Sequence, residues 1–325
     1  MKPTVFLSAR ISKAARELLQ EHCNILLNDK KHQLSSDELS EAVKEADGLL
    51  CAYNDPLDAH FMETASHLKV VSCFSAGYDN IDVEAATQHS IAVTNTAPAV
   101  KDATADMAFG LIIAAARRIV EGDNFVRREK RGQTDPPGQI RGSEVHDSVL
   151  GIIGMGHIGQ EVAQRAQAFK MPVLYYQRSS LPKEREKELN ASHVSLEDLL
   201  QKSDFVSIHV PLTEKTHHLI SKDELSKMKE TAYLVNTSRG PVVDEKALLQ
   251  ALQEKQIAGA ALDVFEDESA ISPGLTELDN VVLTPHLGGV TLNTLRKMSM
   301  LSAQNLIEVL EGRQPESVIN PSVLK

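Results

Sequence analysis

Gly154-Met155-Gly156-His157-Ile158-Gly159 is a G-x-G-x-x-G pattern enclosed by two apolar segments. The run Val149–Ile153 before it has the composition of a buried strand, and apolar side chains recur after it at helical spacing, at Ile158, Val162, Ala166 and Phe169. Glycines at a strand–helix turn let the backbone approach a pyrophosphate, which the free N–H groups of the helix can bind. The context therefore predicts a dinucleotide-binding loop; a turn that only packs helix against strand is the alternative.

The segment after the next predicted strand bears on which dinucleotide binds. Val173–Tyr176 is followed by Gln177-Arg178-Ser179-Ser180, with no carboxylate where one would bind the adenosine ribose of NAD. An arginine beside two hydroxyl groups suits the 2′-phosphate of NADP, because a guanidinium grips phosphate with paired N–H donors. The sequence favours NADP(H), and NAD(H) stays possible if Gln177 bonds the ribose hydroxyl and Arg178 is only a surface residue.

Alternating strand and helix patterns extend in both directions from this loop. The predicted strands are Thr4–Ser8, Ile25–Asn28, Gly48–Tyr53, Val70–Ser75, Ile91–Asn95, Val149–Ile153, Val173–Tyr176, Phe205–Val210, Tyr233–Thr237, Ala258–Val264 and Val281–Thr284. A long helix, capped by Asp102 or Thr104 and continuing to about Arg128, separates two series of strands, and a last helix covers about Leu292–Leu310. This alternation predicts an α/β protein with two doubly wound parallel sheets.

The composition excludes several classes of protein. The 325 residues include 34 Lys and Arg against 45 Asp and Glu, and the formal net charge of −11 argues against binding to nucleic acid or to anionic membranes. The three cysteines form no C-x-x-C pair, and His209, His217 and His218 lack ligand spacing, so we predict no metal site. The sequence has no signal-peptide pattern and no membrane-spanning run, so we expect a soluble, cytoplasmic protein.

The segment Met107–Ala116 is apolar on almost every face. One face of a helix can pack on its own domain, and a second subunit is the simplest cover for the rest, which predicts a homodimer. Burial of the whole helix within a single chain is the alternative.

Short motifs spread over nearly the whole chain carry a resemblance to a known family. Besides the glycine loop they are Ser75–Asp82 (SAGYDNID), Thr104–Ala108 (TADMA), His209–Thr213 (HVPLT), Asn236–Gly240 (NTSRG), Ala261–Glu266 (ALDVFE) and Pro285–Gly289 (PHLGG). In this order they resemble the D-isomer-specific 2-hydroxyacid dehydrogenases, and most closely the glyoxylate/hydroxypyruvate reductases. The resemblance implies a dinucleotide-binding Rossmann domain, residues 102–291, inserted into a flavodoxin-like substrate domain formed by residues 1–101 and 292–325.

The resemblance also implies three catalytic residues, which match Arg239, Glu268 and His286 in this sequence. Arg239 would bind the substrate carboxylate and polarise the neighbouring carbonyl, and His286 would contact the substrate and donate a proton to the developing alkoxide. Glu268 would pair with His286 and keep it protonated near neutral pH. In the first domain, Ala76 and Gly77 would offer backbone N–H groups to the same carboxylate.

Further positions are implied to line the cofactor, and Asp263 among them would lie near the nicotinamide carboxamide. The set is Thr104, Gly154, Met155, Gly156, His157, Ile158, Gly159, Gln177, Arg178, Ser179, Ser180, Pro211, Thr237, Asp263 and Gly288.

Two loops depart from the family's pattern, because residues 132–144 contain no tryptophan and residues 268–276 have no proline-rich run directly after the glutamate. Both loops would border the substrate cleft, so they bear on substrate identity.

The sequence as a whole predicts an NAD(P)H-dependent oxidoreductase that reduces a small 2-keto acid, glyoxylate or hydroxypyruvate, to the D-2-hydroxy acid. Two alternatives stay open. A dinucleotide-gated binding or regulatory module would have no need of the complete Arg–Glu–His set. A phosphoglycerate-type dehydrogenase would need extra cationic groups in the cleft for a larger dianion.

Overall fold

The computed structural model describes residues 2–30, 32–128 and 140–324. They form two compact units, the first made of Met1–Val100 with Val290–Lys325 and the second of Lys101–Gly289. Most of the loop at residues 132–144, including the helix break expected at residues 134–138, lies outside the described residues.

The first unit is built on a five-stranded parallel sheet with the strand order β2-β1-β3-β4-β5, which is the flavodoxin-like order. Its strands are β1 (Thr4–Leu7), β2 (Asn24–Leu27), β3 (Gly48–Cys51), β4 (Val70–Cys73) and β5 (Ala92–Thr94). Its helices are α1 (Lys13–His22), α2 (Ser36–Ala42), α3 (Ala59–Thr64), α4 (Val83–Gln88) and, after the second unit, α13 (Leu292–Leu310), followed by a 3-10 turn at Pro321–Val323. Two apolar clusters cover the two faces of the sheet, so every residue of β3 and β4 is buried.

The second unit is built on a seven-stranded parallel sheet with the order β12-β11-β10-β9-β6-β7-β8. Its strands are β6 (Leu150–Ile153), β7 (Val173–Tyr176), β8 (Ala191–His193), β9 (Phe205–Ile208), β10 (Tyr233–Asn236), β11 (Gly259–Leu262) and β12 (Val281–Leu283). The remaining helices are α5 (Ala97–Ala116), α6 (Ile119–Arg128), α7 (His157–Ala168), α8 (Lys183–Glu188), α9 (Leu196–Lys202), α10 (Lys222–Leu225), α11 (Glu245–Gln253) and α12 (Pro273–Thr276), with a 3-10 turn at Gly240–Val242. The strand order reverses between β6 and β9, and the carboxyl ends at such a reversal border the usual ligand crevice.

The prediction of an α/β protein with two doubly wound parallel sheets is confirmed, but two elements differ from expectation. The single helix expected to start at Asp102 or Thr104 is instead two helices, α5 and α6, and α5 begins earlier, at Ala97. Arg118 has a φ of 51°, in the left-handed region, and this ends α5 before α6 begins. The sequence prediction also omits β8, an edge strand of which only Ala191 is buried.

The apolar segment Met107–Ala116 of α5 is covered mostly by its own unit. Phe109, Leu111 and Ile112 are buried in the core between α5 and the sheet, so most of this helix needs no partner. The next helix, α6, carries exposed apolar side chains, with Ile119 51% and Val126 64% exposed. None of the helices in the described residues combines the length and apolar content needed to cross a bilayer.

Candidate active site

The glycine loop after β6 has the shape of a phosphate cradle. Gly154 has a φ of 97°, and a Cβ there would stand 2.8 Å from the main-chain carbonyl of His209. A Cβ on Gly159 would overlap the carbonyl oxygen of Gly154, so α7 packs closely against the loop. At Gly156 no described heavy atom lies within 4 Å of a Cβ position, and no described side chain caps α7. The first N–H groups of α7 therefore face open space, which fits a pyrophosphate.

The turn after β7 is the expected site for the adenosine ribose. The Gln177 side-chain amide donates to the Ser179 carbonyl at 2.5 Å, and the Gln177 carbonyl lies 2.9 Å from Nε2 of His193. Arg178, Ser179 and Ser180 are exposed, and the Arg178 side chain makes no hydrogen bond or ion pair with any described residue. Its guanidinium can therefore turn toward a bound phosphate without breaking an existing contact.

His286 and Glu268 form a hydrogen-bonded pair. His286 follows β12, Glu268 lies in the loop after β11, and Nδ1 of the histidine is 2.7 Å from Oε1 of the glutamate. Because Nδ1 is bonded to Glu268, Nε2 is the ring nitrogen that can exchange a proton with a substrate. The side chains are 40% and 42% exposed, so a small molecule can reach them.

Asp263 fixes the turn that carries His286. Its Oδ1 accepts from Oγ1 of Thr284 at 2.6 Å and from the Leu287 N–H at 2.8 Å, and its Oδ2 accepts from the Gly288 N–H at 2.7 Å. Three bonds to one buried carboxylate hold His286 at a φ of 54°, which non-glycine residues adopt rarely. The family resemblance implies that Asp263 lies near the nicotinamide, but it does not indicate this bonding role, because the donors stand 21 to 25 residues further along the chain.

Arg239 follows β10, the strand beside β11. Its carbonyl accepts from the Asn236 side-chain amide at 2.9 Å, which shapes the turn after the strand. A Cβ on Gly240 would overlap the main-chain carbonyl of Phe265, so this turn packs directly on the loop that leads to Glu268. The neighbouring strands β10, β11 and β12 thus bring all three predicted catalytic residues to the carboxyl edge of one sheet.

The other predicted cofactor residues are distributed as follows. The Thr237 hydroxyl oxygen is buried and has no hydrogen-bond partner among the described residues, so a bound group can supply one. Thr104 lies beside Gly288, with Cγ2 3.4 Å from a Cβ position there. The Pro211 carbonyl accepts from Oγ1 of Thr216 at 2.6 Å. In the glycine loop Met155 is buried, His157 is exposed and Ile158 is half-buried; Ala76 and Gly77 follow β4 in the first unit.

His209, considered above as a possible metal ligand, directly follows β9 and is half-buried. Its Nε2 lies 2.8 Å from Oγ of Ser207, Nδ1 has no partner among the described residues, and burial lowers the pKa of the ring to about 3. His218 forms a second histidine–glutamate pair, with Nε2 2.6 Å from Oε1 of Glu266. The described residues contain no group of three side chains placed to hold a metal ion.

Comparison with known proteins agrees with this geometry. Residues 109–288 match the family model described as "D-isomer specific 2-hydroxyacid dehydrogenase, NAD binding domain". Glyoxylate reductases from Pyrococcus horikoshii and Korarchaeum cryptofilum are 44% and 46% identical to this chain, and each alignment covers 100% of it and 98% of the relative.

Solved structures give the same result. A glyoxylate reductase from Paecilomyes thermophila has a TM-score of 0.90 at 32% identity over 99% of both chains. The NADPH-dependent glyoxylate/hydroxypyruvate reductase of Sinorhizobium meliloti, solved with NADP and malonate, has a TM-score of 0.88 at 26% identity, over 100% of this chain and 99% of that one. The resemblance predicted from the motifs is confirmed, and this chain belongs to the family of D-isomer-specific 2-hydroxyacid dehydrogenases, which are NAD(P)-dependent oxidoreductases.

Proposed function

We propose that this chain reduces glyoxylate, hydroxypyruvate or a similar small 2-keto acid to the D-2-hydroxy acid, and that it uses NADPH in preference to NADH. The His286–Glu268 pair carries the proposal, because a protein that only binds a dinucleotide has no need of a paired proton donor at this sheet edge. In this proposal the second unit holds the cofactor, and the backbone N–H groups of Ala76 and Gly77 bind the substrate carboxylate.

The proposed chemistry divides between the three residues of the sheet edge. Arg239 binds the substrate carboxylate and polarises the adjacent carbonyl through its guanidinium. A bound nicotinamide cofactor supplies the hydride for the carbonyl carbon. His286 donates the Nε2 proton to the oxygen as negative charge develops there, and Glu268 accepts a hydrogen bond from Nδ1, which orients the ring.

The fall in NADPH absorbance on addition of glyoxylate or hydroxypyruvate tests the reaction. We expect His286→Asn to lower kcat by about 10²- to 10⁴-fold, the usual contribution of a general acid. His218→Asn is the matched control, because His218 also bonds a glutamate and is 37% exposed, yet has no role in the proposed chemistry. Equal losses in the two variants would show that His286 is not the proton donor.

The preference for NADPH is proposed from the turn after β7. Removing the Arg178 cation should lower kcat/KM for NADPH by roughly ten- to a hundredfold and leave NADH use nearly unchanged, because a charge-assisted contact to phosphate is worth about 1.5–3 kcal/mol. Gln177→Asp should shift the preference toward NADH, because a carboxylate repels the 2′-phosphate and binds the ribose hydroxyls. Lys187→Ala, which removes an exposed cation from α8, controls for the loss of charge. If Arg178→Ala weakens both cofactors equally, the phosphate assignment is wrong.

We also propose a homodimer and a cytoplasmic location. Because α5 is mostly buried within its own unit, its apolar segment gives little support for a dimer. The proposal of a dimer is supported instead by the exposed apolar side chains of α6, namely Ile119, Val120 and Val126. Light scattering tests the proposal of a dimer, and a mass near the 35.6 kDa of one chain would contradict it.

The proposed cytoplasmic location is supported by the cysteines. Three free, buried cysteines suit a reducing compartment, which cell fractionation can check.

A further inference from the structure

The loop that follows β4 in the first unit is fixed through three consecutive carbonyl groups. The Ser75 carbonyl accepts from the Thr96 N–H at 2.9 Å, the Ala76 carbonyl from the Asn95 side-chain amide at 2.6 Å, and the Gly77 carbonyl from Sγ of Cys73 at 3.7 Å. In a trans peptide the N–H points opposite to the carbonyl of the preceding residue. The N–H groups of Ala76 and Gly77 therefore face away from the Thr96 and Asn95 donors.

Within the described residues neither Ala76 nor Gly77 donates a backbone hydrogen bond. Two adjacent peptide N–H groups aimed the same way form a concave site for an anion. A carboxylate is the natural ligand for such a pair, because each oxygen can accept from one N–H.

Asn95 makes the central contact of this arrangement, and its own orientation is determined. Its Oδ1 accepts from Oγ of Ser317 at 2.5 Å and from the Ala97 N–H at 3.4 Å. The amide nitrogen can only donate, so these two donors at the oxygen direct the nitrogen to the Ala76 carbonyl. The Asn95 backbone carbonyl also accepts from the Asn305 side-chain amide at 3.0 Å, and the residue is 3% exposed. A buried network therefore ties the loop to α13 and to the C-terminal segment.

We propose that Asn95 is a positioning residue that aims the Ala76 and Gly77 N–H groups at the substrate carboxylate. The inference rests on the proposed function for the existence of that substrate. The Asn95 side chain contacts the loop at the Ala76 carbonyl, on the side opposite the Gly77 N–H, and acts on the substrate only through the backbone. It therefore governs recognition of the carboxylate charge and leaves cofactor binding unaffected.

Asn95→Asp is the sharpest test, because the new side chain has the same shape and keeps an oxygen for Ser317 and Ala97. Its second oxygen faces the Ala76 carbonyl and repels it, so the loop must shift. We expect KM for glyoxylate to rise about tenfold or more, with KM for NADPH unchanged. The preference for glyoxylate over its uncharged methyl ester should fall by a similar factor, because only the charged substrate uses the N–H pair.

Asn320→Asp is the matched control. Asn320 is also a buried asparagine that ties the C-terminal segment to β5, through the Val93 N–H at 2.8 Å and the Ile91 carbonyl at 2.9 Å, but it does not touch the loop. Asn320→Asp should lose about as much stability as Asn95→Asp but keep the wild-type preference for glyoxylate over the ester. A second variant, Ser317→Ala, removes one of the two bonds that orient Asn95 and should move KM for glyoxylate in the same direction by a smaller factor.

Two outcomes would overturn the proposal. One is an Asn95→Asp variant with the wild-type preference for glyoxylate over the ester, and the other is a loss of preference in Asn320→Asp of the same size. Binding of oxalate by calorimetry separates this proposal from the proposed function. If the wild type reduces no 2-keto acid yet binds oxalate, and Asn95→Asp loses that binding, the function fails and the positioning role stands. If the wild type reduces glyoxylate and Asn95→Asp binds oxalate as tightly as the wild type, the positioning role fails and the function stands.

Discussion

The buried ring of His209 should make the second unit sensitive to acid. The pKa of His209 falls from 6.5 to about 3 because the folded protein removes the ring from water. Between these values the unfolded chain binds a proton that the folded chain does not. Stability therefore rises with pH through this window and is lost as the pH falls below about 6.5.

The size of the effect follows from the two pKa values. At about pH 5 the unfolded histidine is almost fully protonated and the folded one is neutral, which costs the fold about 2 kcal/mol relative to pH 7.5. A unit of this size changes its melting temperature by roughly 2–4 °C per kcal/mol. The part of the acid destabilisation due to His209 is therefore about 4–8 °C.

Thermal unfolding of the wild type and of His209→Gln at both pH values isolates this contribution. The variant loses packing at every pH, but its deficit relative to the wild type should shrink by about 2 kcal/mol between pH 7.5 and pH 5. His146→Gln, at a side chain 59% exposed, measures the effect of removing a histidine without disturbing the core. A deficit in His209→Gln that is the same at both pH values would refute the reasoning.

Three further predictions concern turns of the second unit. Asp263→Asn should lower kcat by about a hundredfold in steady-state kinetics, because an amide cannot accept all three bonds that hold the His286 turn. Gly159→Ala should cost about 1–3 kcal/mol in thermal unfolding and raise KM for the cofactor, because the new methyl group overlaps the Gly154 carbonyl. Lys170→Gly should stabilise the fold by about 0.5–1 kcal/mol in urea unfolding, because Lys170 ends α7 at a φ of 56° that glycine adopts without strain.

Local sequence patterns were enough to predict most strands of the two sheets. The strands β1, β3, β4, β6 and β9 are short aliphatic runs that are buried almost throughout, so their composition alone indicates them. The sequence pattern does not predict β8 because two of its three residues are exposed at the edge of the sheet. The break between α5 and α6 is not predicted for a different reason. Arg118 has a left-handed backbone, but arginine is an ordinary helix former and no local pattern indicates this conformation.

The candidate site was predictable as a set of residues but not as a set of contacts. The family resemblance implies Arg239, Glu268 and His286, and the order of the neighbouring strands accounts for their common edge. The scaffold role of Asp263 depends on donors that only the folded turn brings together. Asn95 carries no motif of its own, and its partners Ala76, Asn305 and Ser317 are dispersed along the first unit.

The close fit of Gly154 against β9 limits how this sequence can change. Most steric conflicts in a core can be relieved when a neighbouring side chain becomes smaller at a second position. At Gly154 the nearest obstructing atoms are the main-chain carbon and oxygen of His209, 2.8 Å from a Cβ position, and every amino acid at position 209 has those atoms. A smaller residue at position 209 therefore leaves this conflict in place, and the φ of 97° would strain any other residue at position 154 as well. No substitution at position 209 can therefore make room for a side chain at position 154.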